Sequence, residues 1–270
     1  MQPRDGSAQM TCIGMWARAS LLGAALVILL LGWPCPASAE PYLAAYGGVA
    51  FIEDTALITD LQLNGATFVD GRLRDLHVEP GALYGAKVGY YFQPRLLGGH
   101  VGLEAEAYRF ENAIRPQTAH FKGILAGTFR DGPTAVQRAD ADVIGTALNV
   151  LYRVPLWSSA DVPPGRVQPY VGAGLAVLIA ELSTRTSPFE VNKQVSDTDV
   201  QPALQLLAGV RTLLTRNVAL FVEYRFLQSR PFTFRFRESG TISGAPFVET
   251  ARDRASLTSH QLVAGIGFHW

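Results

Sequence analysis

Between residues 40 and 270 no stretch is apolar for 18 residues, yet about ten-residue segments of strict apolar–polar alternation recur along that whole length. The first observation leaves no segment that reads as a membrane-spanning helix. The second is the signature of strands with one apolar face. Eight such segments stand out, at 41–52, 82–92, 101–111, 141–153, 168–181, 201–213, 218–230 and 257–270. Each is long enough for a tilted strand to cross a bilayer, which takes about 9–11 residues.

The final segment shows the pattern most clearly. Leu262, Ala264, Ile266, Phe268 and Trp270 share one face, while Gln261, Val263, Gly265, Gly267 and His269 share the other. The second segment sets Tyr84, Val88, Tyr90 and Phe92 against Gly85, Lys87 and Gly89. Across the segments one face is aliphatic with aromatics near its ends, and the other mixes Gly and Ala with charge. Alternation alone does not say which face is inside, so a soluble lipocalin-like barrel or a sandwich fits it too. The charged face tips the balance. Lys87, Glu104, Glu106, Arg153, Arg211, Glu223 and Arg225 all lie on it, and they would find mutual partners in a narrow lumen. In lipid every backbone polar group must be paired within the protein, so the sheet must close.

The connections also alternate. Those at 53–81, 112–140, 182–200 and 231–256 are long; those at 93–100 and 213–217 are short; that at 154–167 is intermediate and holds Pro155, Pro163 and Pro164. Long loops on one rim and short turns on the other are the layout of outer-membrane barrels. The expected fold is therefore all-β: an eight-stranded, antiparallel, up-and-down transmembrane β-barrel.

A leader precedes it. Residues 20–33 form an apolar run of signal-peptide length behind Arg18, and Ala37-Ser38-Ala39 matches a small-residue cleavage site. This places a signal peptide at 1–39 and the barrel domain at 40–270, and it assigns the mature chain to the outer membrane of a Gram-negative bacterium. An uncleaved anchor and a lipoprotein at Cys35 are the alternatives. The stretch before Arg18 is long for a leader, so Met10 and Met15 are alternative starts. Cys12 and Cys35 are the only cysteines; without the leader there is no thiol for a disulfide or a metal site. The formal net charge is zero, so nothing points to nucleic acid.

Several motifs carry a family resemblance: Pro169-Tyr170-Val171-Gly172-Ala173-Gly174-Leu175, the Glu223-Tyr224-Arg225-Phe226 strand, the Leu103-Glu104-Ala105-Glu106 strand, the opening Pro41–Gly48 and the Gly265–Trp270 ending. On these the chain resembles the OmpA-type and opacity-protein group of eight-stranded outer-membrane barrels. The resemblance implies that the terminal aromatics Phe268 and Trp270 form part of the signal read by the barrel-assembly machinery. Phe is the commoner last residue there, so Trp270 is a departure. The larger OmpA proteins carry a peptidoglycan-binding domain, which is not carried over.

No catalytic constellation emerges. Lipid A deacylases of this shape use a His and a Ser close together on one strand. The nearest approach is His260 beside Ser259 and near Ser256, but adjacent strand residues face opposite ways. Glu104 and Glu106 could do acid–base work, but pairing with Lys87, Arg153, Arg211 or Arg225 is the better reading, because an unpaired buried charge costs several kcal/mol. Eight strands leave room only for side chains, which argues against a wide pore. Gly172 and Gly174 do not form a nucleotide loop. Asp54, Asp60, Asp70, Asp75 and Glu79 in the first long connection lack calcium-ligand spacing and read as solvated charge.

Interest therefore moves to the loops. In 231–256, Phe232, Phe234 and Phe236 alternate with Thr233, Arg235 and Arg237, with a turn over Gly240–Gly244 and a return over Phe247–Thr250. This reads as a hairpin. Arg235, Arg237, Phe234 and Phe236 are candidates for contact with lipopolysaccharide phosphates or with a partner or host surface; packing against neighbouring loops is the alternative. The expectation is a monomeric, non-enzymatic barrel without cofactor or metal, among outer-membrane lipids and lipopolysaccharide, whose loops mediate interaction or support envelope integrity. A narrow porin-like channel and a lipid-modifying enzyme stand as alternatives.

Overall fold

The computed structural model describes residues 39–158, 165–186, 191–242 and 245–270. The expected leader, both cysteines, Pro163, Pro164 and Gly244 fall outside the described residues, Ala39 excepted. Fourteen strands follow in chain order: β1 (Ala39–Ile52), β2 (Thr55–Leu63), β3 (Ala66–Leu76), β4 (Gly81–Leu96), β5 (Gly99–Ile114), β6 (Gln117–Leu125), β7 (Thr128–Val136), β8 (Ala139–Arg153), β9 (Val167–Thr186), β10 (Val191–Leu213), β11 (Val218–Ser229), β12 (Phe232–Ile242), β13 (Ala245–Ala255) and β14 (Thr258–His269).

Eight of these close into a barrel in the order β1-β14-β11-β10-β9-β8-β5-β4. They cover the eight segments of strict alternation to within one residue at each end. Every barrel strand is antiparallel to its sequential neighbour, and β14 returns to β1 in unbroken register from Tyr42↔His269 to Ile52↔Ser259. Closure leaves no edge with unpaired backbone groups, which is what a hydrocarbon surrounding demands. The outward face is a band of exposed apolar side chains, among them Leu103, Leu148, Leu175, Val222, Leu262 and Ile266. The inward face holds the charge.

The short rim is built from tight turns. Between β4 and β5 the turn is Leu97-Gly98, both at positive φ (50° and 85°), the geometry of a two-residue hairpin whose twist matches the strands it joins.

The long connections differ from expectation. The stretches at 53–81, 112–140 and 231–256 are hairpins rather than loops, and their strands form a second, six-stranded sheet in the order β12-β13-β2-β3-β6-β7. Only the last of the three was legible as a hairpin. Each upper strand pairs with the continuation of its barrel strand's own neighbour: β13 with β2 as β14 with β1, and β3 with β6 as β4 with β5. The second sheet is thus the barrel wall carried outward past short breaks at 53–54, 77–80, 115–116, 137–138, 230–231 and 256–257. The fourth long connection, expected at 182–200, is largely strand: β9 and β10 extend into it and pair from Val195↔Thr184 down to Thr212↔Val167, with a register shift between Val191 and Val195.

The free edge of β12 lies beside β10. Asp199 Oδ2 accepts the backbone N–H of Thr233 at 2.7 Å, and Asp197 Oδ2 accepts that of Arg235 at 2.7 Å. Two carboxylates thereby take the place of a paired strand and cover donors that would otherwise invite edge-to-edge association.

Candidate functional site

Inside the barrel, period-two alternation turns every second residue into the lumen. Lys87, Glu104, Glu106, Arg153, Arg211, Glu223 and Arg225 are all buried there. Lys87 Nζ lies 2.7 Å from Glu223 Oε2 and 3.2 Å from Glu104 Oε2. Arg225 Nη1 lies 2.9 Å from Glu106 Oε2, and Arg225 Nε donates to Glu223. Asn149 Nδ2 donates to Glu104 at 3.2 Å and to Glu106 at 3.1 Å, and Gln205 donates to Glu106.

Arg153 and Arg211 stand nearer the short rim. Arg153 pairs with Glu40, which also contacts His269 Nδ1 at 2.8 Å. Arg211 makes no ion pair among the described residues. Its guanidinium lies over the Tyr42 ring at 4.4 Å and near Tyr91 and Tyr170 at 5.3 and 5.6 Å, where the electron-rich ring faces attract a cation.

Glycines make this crowding possible. Gly89 lies beneath the Tyr42 ring and Gly85 beneath that of Tyr46; a Cβ at either would come within 2.4–2.6 Å of ring atoms. The rings settle into those slots, and their hydroxyls donate to Glu104 at 2.5 Å and to Glu106 at 2.8 Å. The lumen is filled by ion pairs and the tyrosines that buttress them.

His260 does not meet a serine. Its Nδ1 lies 2.6 Å from the Tyr224 hydroxyl and its Nε2 2.8 Å from Glu53 Oε1. Ser259 is buried on the opposite face of β14, its hydroxyl without a hydrogen-bond partner among the described residues. Among the described residues no group of three or more His, Asp or Glu side chains is placed to hold a metal ion.

On the outward wall the loop candidates divide. Phe234 and Phe236 are buried on its inner face, so they present no surface for a partner. Arg235 and Arg237, one residue on each time, are exposed on the outer face. Strand register extends that outer face across the whole sheet. One cross-strand row runs Thr233, Arg254, Ile58, Arg72, Lys122, Asp131, and the next runs Arg235, Arg252, Asp60, Asp70, Ile124, Phe129. Arg235 thus stands opposite Arg252, and Arg72 opposite Lys122. Like charges directly opposed are unfavourable for the sheet itself.

The lower row lies at the foot of the wall, next to the membrane-crossing strands. There Arg72, Arg254, Ile58, Pro231, Glu53 and Asp54 surround a groove of about 510 Å³. Its two carboxylates are engaged elsewhere: Glu53 with His260 at 2.8 Å and Asp54 with His77 at 3.2 Å. Neither Arg72 nor Arg254 makes an ion pair among the described residues, whereas Lys122 is held by Asp131 at 3.1 Å. Together with His120, Lys122 also holds the Asp131 carboxyl below its ordinary range, the His120 hydrogen bond being the larger cause. Sequence reasoning found Arg235 and Arg237 but missed Arg72, Arg252 and Arg254, because their alignment exists only once β13, β2 and β3 pair.

The family model described as "Outer membrane protein beta-barrel domain" matches residues 24–268. A search of curated proteins finds no match. Among solved structures, Neisserial surface protein A is similar at 16% identity and a TM-score of 0.42, over 85% of this chain and 97% of that one. The N-terminal β-barrel domain of Pseudomonas aeruginosa OprF is similar at 12% identity and 0.35, over 86% and 97%. The outer membrane protease OmpT from Escherichia coli is similar at 7% and 0.39, over 87% and 97%. By the match along nearly its whole length, the chain belongs to the outer membrane protein β-barrel domain family and is a protein of the bacterial outer membrane.

Proposed function

We propose that the protein is a non-enzymatic surface barrel whose outward wall engages the phosphate groups of lipopolysaccharide. The observation that carries this reading is the groove of Arg72 and Arg254 at the foot of the wall, whose carboxylate neighbours are each hydrogen-bonded to a histidine. Long loops of outer-membrane barrels face outward, so this groove stands at the height of the lipid headgroups. Guanidinium groups bind phosphate through paired, charge-assisted hydrogen bonds worth roughly 1.5–3 kcal/mol each. The opposed cations of the rows above become favourable once an anion bridges them.

The test compares binding of refolded mature protein to intact and to enzymatically dephosphorylated lipopolysaccharide. Intact lipopolysaccharide is expected to bind more tightly, with the difference lost in Arg72→Glu/Arg254→Glu. Equal binding of both forms by the wild-type chain overturns the reading.

Two alternatives predict different measurements. A narrow channel requires conductance in planar bilayers; the side chains filling the lumen speak against it. A lipid-modifying enzyme using His260 requires a change in lipid A mass that disappears on His260 replacement; its contacts with Tyr224 and Glu53 rather than a serine speak against that. The same reading takes 1–39 as a signal peptide cleaved after Ala39, the mature chain as a monomer, and Phe268 with Trp270 as the assembly signal. Both aromatics are exposed on the lipid side and stacked at 6.1 Å.

A further inference from the structure

Above the charged layer the outward wall encloses a cavity of about 330 Å³. Its size falls in the range of small-molecule sites, roughly 300–1,000 Å³. Phe232, Phe234 and Phe236 of β12 line one side, with Leu61, Leu182 and Leu257 among the residues facing them. Among the described residues the charged side chains in this lining are all acidic: Glu181 from β9, and Glu249 and Asp253 from β13. Asp253 is the residue of interest. Thr59 stands opposite it on β2 and Phe234 opposite it on β12. The Thr59 side chain hydrogen-bonds its carboxyl, while Oδ1 is buried without a partner among the described residues.

An apolar chamber with an unsatisfied carboxyl oxygen and no basic group among its described lining residues selects its occupant by charge. A fatty acid would set its carboxylate against that of Asp253. An alkyl chain ending in an ammonium group would bury the chain against the phenylalanines and supply the donor that Asp253 lacks. We propose that this vestibule binds a single-chain cationic amphiphile, its ammonium group on Asp253 and its chain along the Phe232–Phe236 face. Burial raises the Asp253 carboxyl to about 6, against the lowering effect of the Thr59 hydrogen bond. The site is therefore anionic above that value and loses its preference for a cation below it. The groups facing Asp253 are Thr59 and Phe234 across the strands, Glu249 on its own strand, and Glu181 within the same lining. None of them supplies a compensating positive charge.

The experiment is calorimetric titration of the mature chain in lipid nanodiscs with decylamine, decanol and decanoic acid, against empty nanodiscs, near pH 7.5 and near pH 5. Decylamine is expected to bind about tenfold more tightly than decanol at the higher pH, a gap worth about 1.4 kcal/mol. That gap should close at the lower pH. Asp253→Asn should erase it while leaving decanol binding intact, and Ala251→Trp, which fills the chamber, should abolish binding of both. Folding of each variant is checked by heat-modifiable gel migration; Asp253→Asn, nearly isosteric, carries the test should Ala251→Trp not fold. No binding beyond empty nanodiscs, equal affinity for decanoic acid, or an unchanged gap in Asp253→Asn overturns the proposal. The outer-face groove is untouched by any of these outcomes.

Discussion

Lys87 donates its ammonium to Glu223 across 2.7 Å in the middle of the lumen, joining β4 to β11, three strands away in the barrel's closed order. The same ammonium lies 3.2 Å from Glu104, so one cation serves two carboxylates. Removing one member of a buried pair costs about 3–5 kcal/mol, because the remaining charge is stranded in low dielectric. Lys87→Met is therefore expected to destabilise the barrel by about that amount in urea unfolding from lipid bilayers. Lys87→Met with Glu223→Gln should recover part of the loss, since less uncompensated charge remains. A double variant as unstable as the sum of the two singles would show that the residues act independently.

Gly89 tests how tightly the lumen is built. A Cβ there would meet the Tyr42 ring at 2.4 Å and push its hydroxyl off Glu104. Gly89→Ala is expected to cost about 1–3 kcal/mol, the usual range for overpacking. Gly267 is the control. It lies on the same inward face, but the nearest atom to its Cβ position is 3.5 Å away, in ordinary contact. Gly267→Ala should change the unfolding midpoint little. Equal losses at both positions would mean that the slot beneath Tyr42 is not what Gly89 provides.

The crossing strands were legible because lipid outside and a filled lumen inside impose one residue type on each face. Tyr84, Val88 and Phe92 against Gly85, Lys87 and Gly89 leave no choice of register. The outward strands meet no lipid. β3 reads Ala-Thr-Phe-Val-Asp-Gly-Arg-Leu-Arg-Asp-Leu, and its outer face is polar without being regular, so the alternation that marks β4 is missing. The local signal that was available there is Asn64-Gly65, both at positive φ (51° and 80°), the pair most often found in a two-residue hairpin turn. The corresponding turn between β6 and β7 is Ala126-Gly127, which sequence marks far less strongly. The Arg72–Arg254 groove was illegible for a different reason. Its arginines belong to strands distant in the chain, and only the pairing of β13 with β2 and of β2 with β3 brings them into one row.

The aspartates beside β12 make the outward wall acid-sensitive. Burial opposes ionisation of Asp199, but hydrogen bonds from the Gln201 side chain and from the Thr233 and Val200 amides outweigh it and hold its carboxyl below the ordinary range. A depressed carboxyl contributes stability that is present above its unfolded value, about 3.9, and is lost as pH falls through the folded value. Asp199→Ala should therefore speed limited proteolysis within 231–256 at neutral pH, with the crossing strands left intact. Wild-type protein should approach the variant's rate only in strong acid, with an acid-active protease. Identical neutral-pH cleavage rates would mean that the edge of β12 is protected by something other than this carboxylate.

Asp253 has the opposite sign. Burial raises its carboxyl from 3.8 to about 6 despite the hydrogen bond from Thr59, so folding penalises the ionised form. Stability from this group is fully present below the unfolded value and is lost as pH rises through about 6. A tenfold change in proton affinity between the folded and unfolded chain corresponds to about 1.4 kcal/mol. Allowing for partial access of water to the chamber, Asp253→Asn is expected to stabilise the wall by about 1–2 kcal/mol above the transition and by much less below it. Hydrogen exchange of the β13 amides, compared between wild type and variant on both sides of that pH, reads the difference where it arises rather than through global unfolding of the barrel. A variant less stable than wild type at neutral pH would mean that the carboxylate is ionised and well partnered, and it would remove the unsatisfied oxygen on which a cationic ligand depends.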